Sequence, residues 1–308
     1  MAISPSTQDV VLARLKGRRL DLKGVLFEAL LLLALLLSLS ILLTLLADVL
    51  RGGLGVLTER GFGFLTAGLA TFSADTAGVK QGIVGSMLTL VFVVLLAFPL
   101  GIGAAVYLEE YAPDTTFTRF INVNIRNLAG VPSIVYGLLG LALFVEVFRP
   151  LTGGTTAISG GLTLAVLVLP IVVITAAEAL RAVPDSIREA GFGVGATRWE
   201  VVRSHVLPSA APGILTGTVL SISRALGETA PLLLVGAITG YIATGGQSLV
   251  EQMRSSFTTL PTVVYSYARL PSQDFREVTS AAIIVLLAVI LLVNAIAIVL
   301  RNRYERKW

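Results

Sequence analysis

The sequence predicts an all-α, polytopic membrane protein with six transmembrane helices, and three observations carry that reading. Apolar residues fill 55% of the 308 positions and charged residues only 14%. The mean hydropathy is +0.87, a balance found in integral membrane proteins rather than soluble domains. The apolar residues are gathered in runs of about 20, the length a helix needs to cross the bilayer core. Lysine and arginine alternate in density between the connecting segments: 15 fall on one assigned side, 7 on the other, and Arg224 lies within a span. The richer side is the cytoplasmic one, which places both termini in the cytoplasm. Cysteine is absent, so disulfides, thiolate metal sites and cysteine nucleophiles are excluded.

Residues 1–24 are polar and basic, with Arg14, Lys16, Arg18, Arg19 and Lys23, and read as a cytoplasmic N-terminal segment. Val25–Ala47 is too long for a signal-peptide core, and no small-residue cleavage pattern follows it. It is expected to remain as the first span, with Glu28 snorkelling near its inner end. From Asp48 to about Gln81 the chain is rich in Gly, Thr and Ser and is assigned outside. Gly82–Tyr107 is the second span, where Pro99, Gly101 and Gly103 are expected to kink the helix or admit a close neighbour. Leu108–Arg126 returns inside. Asn127–Phe148 is the third span, with small residues at Gly130, Gly137 and Gly140 and with Pro132 as a helix break. A turn over Arg149–Gly160 leads to the fourth span, Gly161–Leu180.

The fifth span is expected near Ile214–Ile238, with a second break at Pro231. An outer segment, 239–278, carries Tyr241, Phe257, Tyr265 and Tyr267 and is expected to form interfacial or re-entrant helix in part. Thr279–Leu300 closes the membrane domain, which thus runs over 25–300, and 301–308 is a basic cytoplasmic tail.

Between the fourth and fifth spans lies a polar, basic segment, 181–213, with Arg181, Arg188, Arg198 and Arg203. Its pattern predicts a short helix over Ile187–Gly191 and a turn around Gly191, Gly193 and Gly195. A second helix over Trp199–Val206 is expected to end at Leu207-Pro208, since proline breaks the hydrogen-bond ladder. Two helical pieces around a glycine hinge suit a docking element better than a plain connection. The hinge at Gly195 is expected to have no room for bulk. His205, the single histidine, reads as a packing or interface residue rather than a proton relay or metal ligand, and no metal site is expected.

The fifth span holds Arg224 and Glu228, spaced i, i+4 and therefore able to pair on one helix face. A charge at mid-bilayer costs about 2.5–3.5 kcal/mol on insertion scales, so each should face a partner or a watery cavity. Two roles stay open. The pair could lock helices or subunits together, or Arg224 could offer a fixed cation to a passing anion while Glu228 holds its side chain. The guanidinium fork matches oxyanion geometry and stays protonated.

The run Glu189-Ala190-Gly191, three residues, Gly195, nine residues, His205-Val206-Leu207-Pro208 resembles the EAA loop of bacterial ABC import permeases. Gly191 replaces the second alanine of that motif, and His205 stands where isoleucine is usual. Pro99 through Tyr111 and Leu128 through Gly137 are similar to signatures of the phosphate-specific transport permeases. Arg224 through Leu232, with its Glu-Thr-Ala-Pro, is similar to the PstA-type subunits of that family. The resemblance covers roughly residues 80–300.

It implies a type I ABC importer permease fold and a membrane subunit of an ATP-driven importer of inorganic phosphate, in the bacterial inner membrane. It also implies a PstC-like sister permease, a PstB-like ATPase dimer and a PstS-like phosphate-binding protein as partners. By motif, Glu189, Ala190, Gly191, Gly195, Leu207 and Pro208 belong to the ATPase-coupling loop, and Arg224 and Glu228 form the intramembrane charged pair.

No cofactor is expected on this chain. It lacks a Gly-x-x-x-x-Gly-Lys-Ser/Thr loop and has no Gly-Lys dipeptide, so ATP and Mg would sit on the partner ATPase. A permease for another oxyanion, sulfate or molybdate, remains open. From a different class, an ion-coupled secondary carrier would need intramembrane carboxylates for its coupling ion, and the single charged pair counts against it. An intramembrane enzyme lacks a nucleophile–base pair: Ser221 and Ser223 have no histidine near them in sequence, and no His-Glu-x-x-His motif is present.

Overall fold

A computed structural model describes residues 22–237 and 249–304, and among these all regular structure is helical. Most of the N-terminal segment, Tyr241 in the outer segment and the end of the tail lie outside the described residues. Five of the helices are long and apolar enough to cross a membrane, or six if one bent pair counts as a single span.

The chain divides into two compact units, 1–51 and 52–308. The described part of the first unit belongs to α1 (Leu22–Arg60), whose leucine-rich run is exposed on every face. The helix does not stop near Ala47 as expected. It continues through Asp48 and the glycines that follow to Arg60, so part of the segment assigned outside is helix. At 1.5 Å per residue α1 is about 58 Å long, well beyond a bilayer core of about 30 Å.

The second unit is built around α6 (Ala157–Arg181), the most deeply buried of the long helices among the described residues. Both ends match the expected fourth span to within a turn. Its neighbours include α3 (Lys80–Tyr111), α5 (Ser133–Val147) and α8 (Arg198–Gly227). A β-carbon at Gly140 of α5 would stand 2.1 Å from Thr163 Oγ1, and one at Gly217 of α8 would stand 2.3 Å from Thr175 Oγ1. Small residues at these crossings let helix backbones approach closely in an apolar solvent, where packing rather than hydrophobic exclusion holds helices together. Further along, α12 (Gln273–Tyr304) packs on α8 and on α11 (Leu260–Ala268).

The breaks fall only partly where the sequence places them. At Pro99 the helix α3 runs on, with the turn before it, Val93–Ala97, a widened π turn, and the expected close neighbour is found at Gly101, where a β-carbon would stand 2.7 Å from Val172 Cγ1. Proline removes one donor and crowds the carbonyl four residues back, and a π turn at that point relieves both. The third span does not start at Asn127. An amphipathic helix, α4 (Thr116–Ala129), precedes it, and the chain turns through 100° before α5 begins at Ser133. Pro132 is the break that the sequence predicts, and Tyr136 Oη donates to Leu128 O (2.8 Å) to satisfy a carbonyl at the broken end.

The fifth span is also shifted. It begins at Arg198, ends at Gly227, and is followed by a short helix, α9 (Ala230–Leu234), with Pro231 in its first turn. In the outer segment, α10 (Leu249–Met253) and α11 are helical. α11 is packed in the protein interior rather than lying on the surface: Leu260 N donates to Ser86 Oγ (2.9 Å) and Tyr267 Oη to Gly78 O (2.7 Å).

Candidate functional site

The polar segment after α6 folds as a tight helical hairpin. Its first arm is α7 (Asp185–Gly193); its second is the start of α8. Two local motifs close the turn between them. Gly195 N donates to Phe192 O (2.9 Å) and Ala196 N to Gly191 O (3.2 Å), the paired bonds of a Schellman cap, with Gly195 at φ +83° as its left-handed residue. Thr197 then caps α8: its hydroxyl accepts from Glu200 N, and the Glu200 carboxylate accepts from Thr197 N (2.8 Å). This Thr-x-x-Glu box was readable in the sequence as a helix start, and it places the start of α8 at Arg198.

Each motif residue of the hairpin has a definite place. Gly191 is buried where the arms cross; a β-carbon there would lie 2.7 Å from Val201 Cγ2. Gly195 has nothing within 4 Å of a β-carbon, so the expected crowding is not found. Its requirement is the positive φ. Glu189 and Ala190 are exposed on the outer side of α7, beside Phe192, Val194 and Trp199, which expose apolar surface at the tip. Leu207 is half-buried and Pro208 exposed, and neither ends the helix. The π turn Val202–Val206 stands immediately before them, and the helix runs on to Gly227. His205 is exposed on that turn, and no cluster of metal-ligating side chains exists among the described residues.

At the far end of α8, Arg224 Nε lies 3.2 Å from Glu228 Oε1. The pairing expected from sequence is present, but its geometry differs. Glu228 is outside the helix, with φ −73° and ψ 125°, so the two meet across the helix terminus rather than along one helical face. The Arg224 side chain is 43% exposed and that of Glu228 15%. The break after Glu228 lies against α5: a β-carbon at Gly137 would stand 2.6 Å from Pro231 Cα. Two interrupted helices therefore meet here, a geometry tolerated at membrane depth only within protein or along a cavity. An open cleft of about 680 Å³ between α6, α8 and α12 is lined by Glu178, Thr216, Ser223, Asn294 and Arg301, and neither Arg224 nor Glu228 lines it.

Sequence reasoning missed the groups that hold the hairpin to the rest of the protein. Glu109 and Glu110, at the end of α3, pair with Arg181 and Arg188. The only local signal was two adjacent acids where an apolar run ends.

Residues 97–308, more than half of the chain, match the family described as the binding-protein-dependent transport system inner membrane component. The chain belongs to this family. The permease is 35% identical over 226 residues to the phosphate transport system permease protein PstA of Pasteurella multocida (strain Pm70), covering 72% of this chain and 76% of that one. It is 33% identical over 245 residues to the PstA protein of Haemophilus influenzae, covering 77% and 82%. With the probable ABC transporter permease protein YqgI of Bacillus subtilis (strain 168) it shares 38% identity over 183 residues, 59% of this chain and 60% of the relative's length.

Among solved structures, a bacterial alginate ABC transporter in complex with its periplasmic protein superposes with a TM-score of 0.63 at 14% identity, covering 89% of the permease and 93% of that chain. The inward-facing MetNI methionine ABC transporter gives 0.55 at 19%, covering 74% and 98%. At these identities the likeness is one of fold, and the fold of this multi-pass membrane protein is that of type I ABC importer permeases.

Proposed function

We infer that this permease is the PstA-type subunit of an ATP-driven importer of inorganic phosphate. The observation that carries the mechanism is the continuity of α8. One helix of 30 residues, about 45 Å long, joins the second arm of the hairpin to the Arg224–Glu228 pair. A displacement of the hairpin at one end is a displacement of Arg224 at the other.

In this reading the hairpin, with Glu189, Ala190, Gly191, Gly195, Leu207 and Pro208, docks on an ATPase. The exposed Phe192, Val194 and Trp199 supply the apolar surface such a docking tip needs. ATP and Mg belong to that partner, a PstB-like dimer. A PstC-like permease completes the pathway and a PstS-like protein delivers phosphate from outside. The chain sits in the bacterial inner membrane with the hairpin and both termini in the cytoplasm, so that 1–24 and 301–308 flank a membrane domain over 25–300. Arg224 meets the anion as a fixed cation, and Glu228 takes the side chain back once the anion has passed. Phosphate is favoured over sulfate or molybdate by the similarity to PstA proteins across about three-quarters of the chain.

The test is ATP-dependent uptake of radiolabelled phosphate into proteoliposomes holding the purified complex, comparing wild type with Arg224→Gln. Uptake that the substitution removes from an intact complex supports both the importer and the arginine's role. Uptake that survives reduces Arg224 to a structural lock. An intact, ATP-hydrolysing wild-type complex that moves sulfate or molybdate but no phosphate refutes the substrate.

A further inference from the structure

The last three residues of α3 each hold one arginine, and the three arginines belong to successive elements of the coupling region. Glu109 binds Arg181, at the end of α6, through both carboxylate oxygens, with Nε at 2.8 Å. Glu110 binds Arg188, on α7, with Nη2 at 2.7 Å and Nε at 3.3 Å from both oxygens. The Tyr111 ring lies under the guanidinium of Arg198, on the first turn of α8, at 5.4 Å from the ring centre.

Arg188 is the centre of this set. Its other N–H groups reach Val183 O (2.8 Å), Leu180 O (2.9 Å) and Asp185 Oδ1 (3.2 Å). All five donors of the guanidinium fork are thereby engaged, and they join α3, the end of α6 and the start of α7. Glu110 is buried, at 5% exposure. The hydrogen bonds that Arg188 donates to Glu110 outweigh burial and raise the Arg188 pKa above its usual value.

Stability alone does not account for this arrangement. A buried ion pair gains little over well-packed apolar residues of similar volume, because desolvation offsets the attraction. What it adds is a unique register between the parts it joins. Here those parts are the first arm of the hairpin, the end of α6 and the tip of a helix that is not the hairpin's chain neighbour: Glu110 and Arg188 are separated by 78 positions.

We propose that Glu109, Glu110 and Tyr111 form a three-point clamp that makes α3 a second output of the coupling hairpin, with Arg188 as its pivot. When the hairpin moves, α3 moves with it as one body, in parallel with α8. Glu110 and Arg188 are positioning residues; neither touches phosphate. The inference rests on the hairpin being the ATPase-coupling element.

The chain lacks native cysteine, so Pro113→Cys and Ser186→Cys, both at exposed sites, take spin labels cleanly in an importer assembled with cysteine-free partner subunits. In wild type the distance between them stays the same in the nucleotide-free and ATP-trapped states, because the clamp moves whole. With Glu110→Gln the distribution broadens or shifts between the two states. Phosphate transported per ATP hydrolysed falls by about tenfold, within the usual range of coupling between sites, while the complex is recovered in normal amount. Tyr111→Phe keeps the ring and behaves as wild type, whereas Tyr111→Ala lowers the ratio.

The clamp is overturned if Glu110→Gln leaves both the label distance and the transport ratio unchanged. It is equally overturned if uptake falls only in proportion to the complex recovered. A wild-type complex that hydrolyses ATP without moving phosphate would refute the substrate reading instead, and the label distances would still decide the clamp.

Discussion

Gly195→Ala separates two explanations of the hinge glycine, and the structure says which one to expect. A β-carbon at this position meets nothing within 4 Å, so size is not limiting; the residue stands at φ +83° as the left-handed position of a Schellman cap. An L-residue with a β-carbon pays about 1–2 kcal/mol in that conformation, a factor of roughly 5–30 in the population of the closed hairpin. Asparagine visits the left-handed region more readily than other non-glycine residues, so Gly195→Asn should lose less than Gly195→Ala although its side chain is larger. The assay is titration of the ATPase onto the purified permease pair, followed by uptake in proteoliposomes. The expected order of affinity is Gly, then Asn, then Ala. An order of Gly, Ala, Asn would show that bulk at the docking surface matters and backbone conformation does not, and would refute the reasoning.

Two further substitutions probe packing at known distances. Gly191→Val forces a β-carbon within 2.7 Å of Val201 and should spread the hairpin arms at about 1–3 kcal/mol, visible as weakened ATPase docking with normal membrane insertion. Tyr267→Phe removes a buried hydroxyl that donates to Gly78 O and leaves that carbonyl short of a partner; about 1–3 kcal/mol is expected, read as a lower melting midpoint of the detergent-solubilised complex with uptake little changed at low temperature.

The parts of the fold that were legible in the sequence are those set by local pattern. α6 could be placed to within a turn because its apolar run is continuous and ends at Arg181. The hairpin was legible because glycines and a spaced Leu-Pro punctuate a polar stretch. The two prolines that fail to break their helices share one cause. Pro99 and Pro208 each stand two residues after a π turn, Val93–Ala97 and Val202–Val206. The carbonyl that each proline would crowd, on Leu95 and on Ser204, lies inside that widened turn. A rule that treats proline as a terminator cannot anticipate a π turn that depends on tertiary packing. The clamp was illegible for a different reason. Glu109 and Arg181 are 72 positions apart, and nothing local marks two acids as partners of arginines that far along the chain. Counting those arginines only as topology signals left out that three of the four in the hairpin region make specific contacts.

The Arg224–Glu228 pair shows why correcting a helix end changes the chemistry. On one face of a continuous helix, an i, i+4 pair would be a fixed feature of the rod. Placed across the terminus, the arginine belongs to α8 and the glutamate to the extended link before α9. Their separation then depends on how α8 sits relative to α9, and α9 is packed against α5. Any motion of α8 that the hairpin drives must therefore stretch or relax this one contact. A lock that opens when its rod moves, and leaves a cation exposed when it opens, can be a structural contact and an anion site in turn. Under the proposed function, the two roles that the sequence left open become successive states of the same pair.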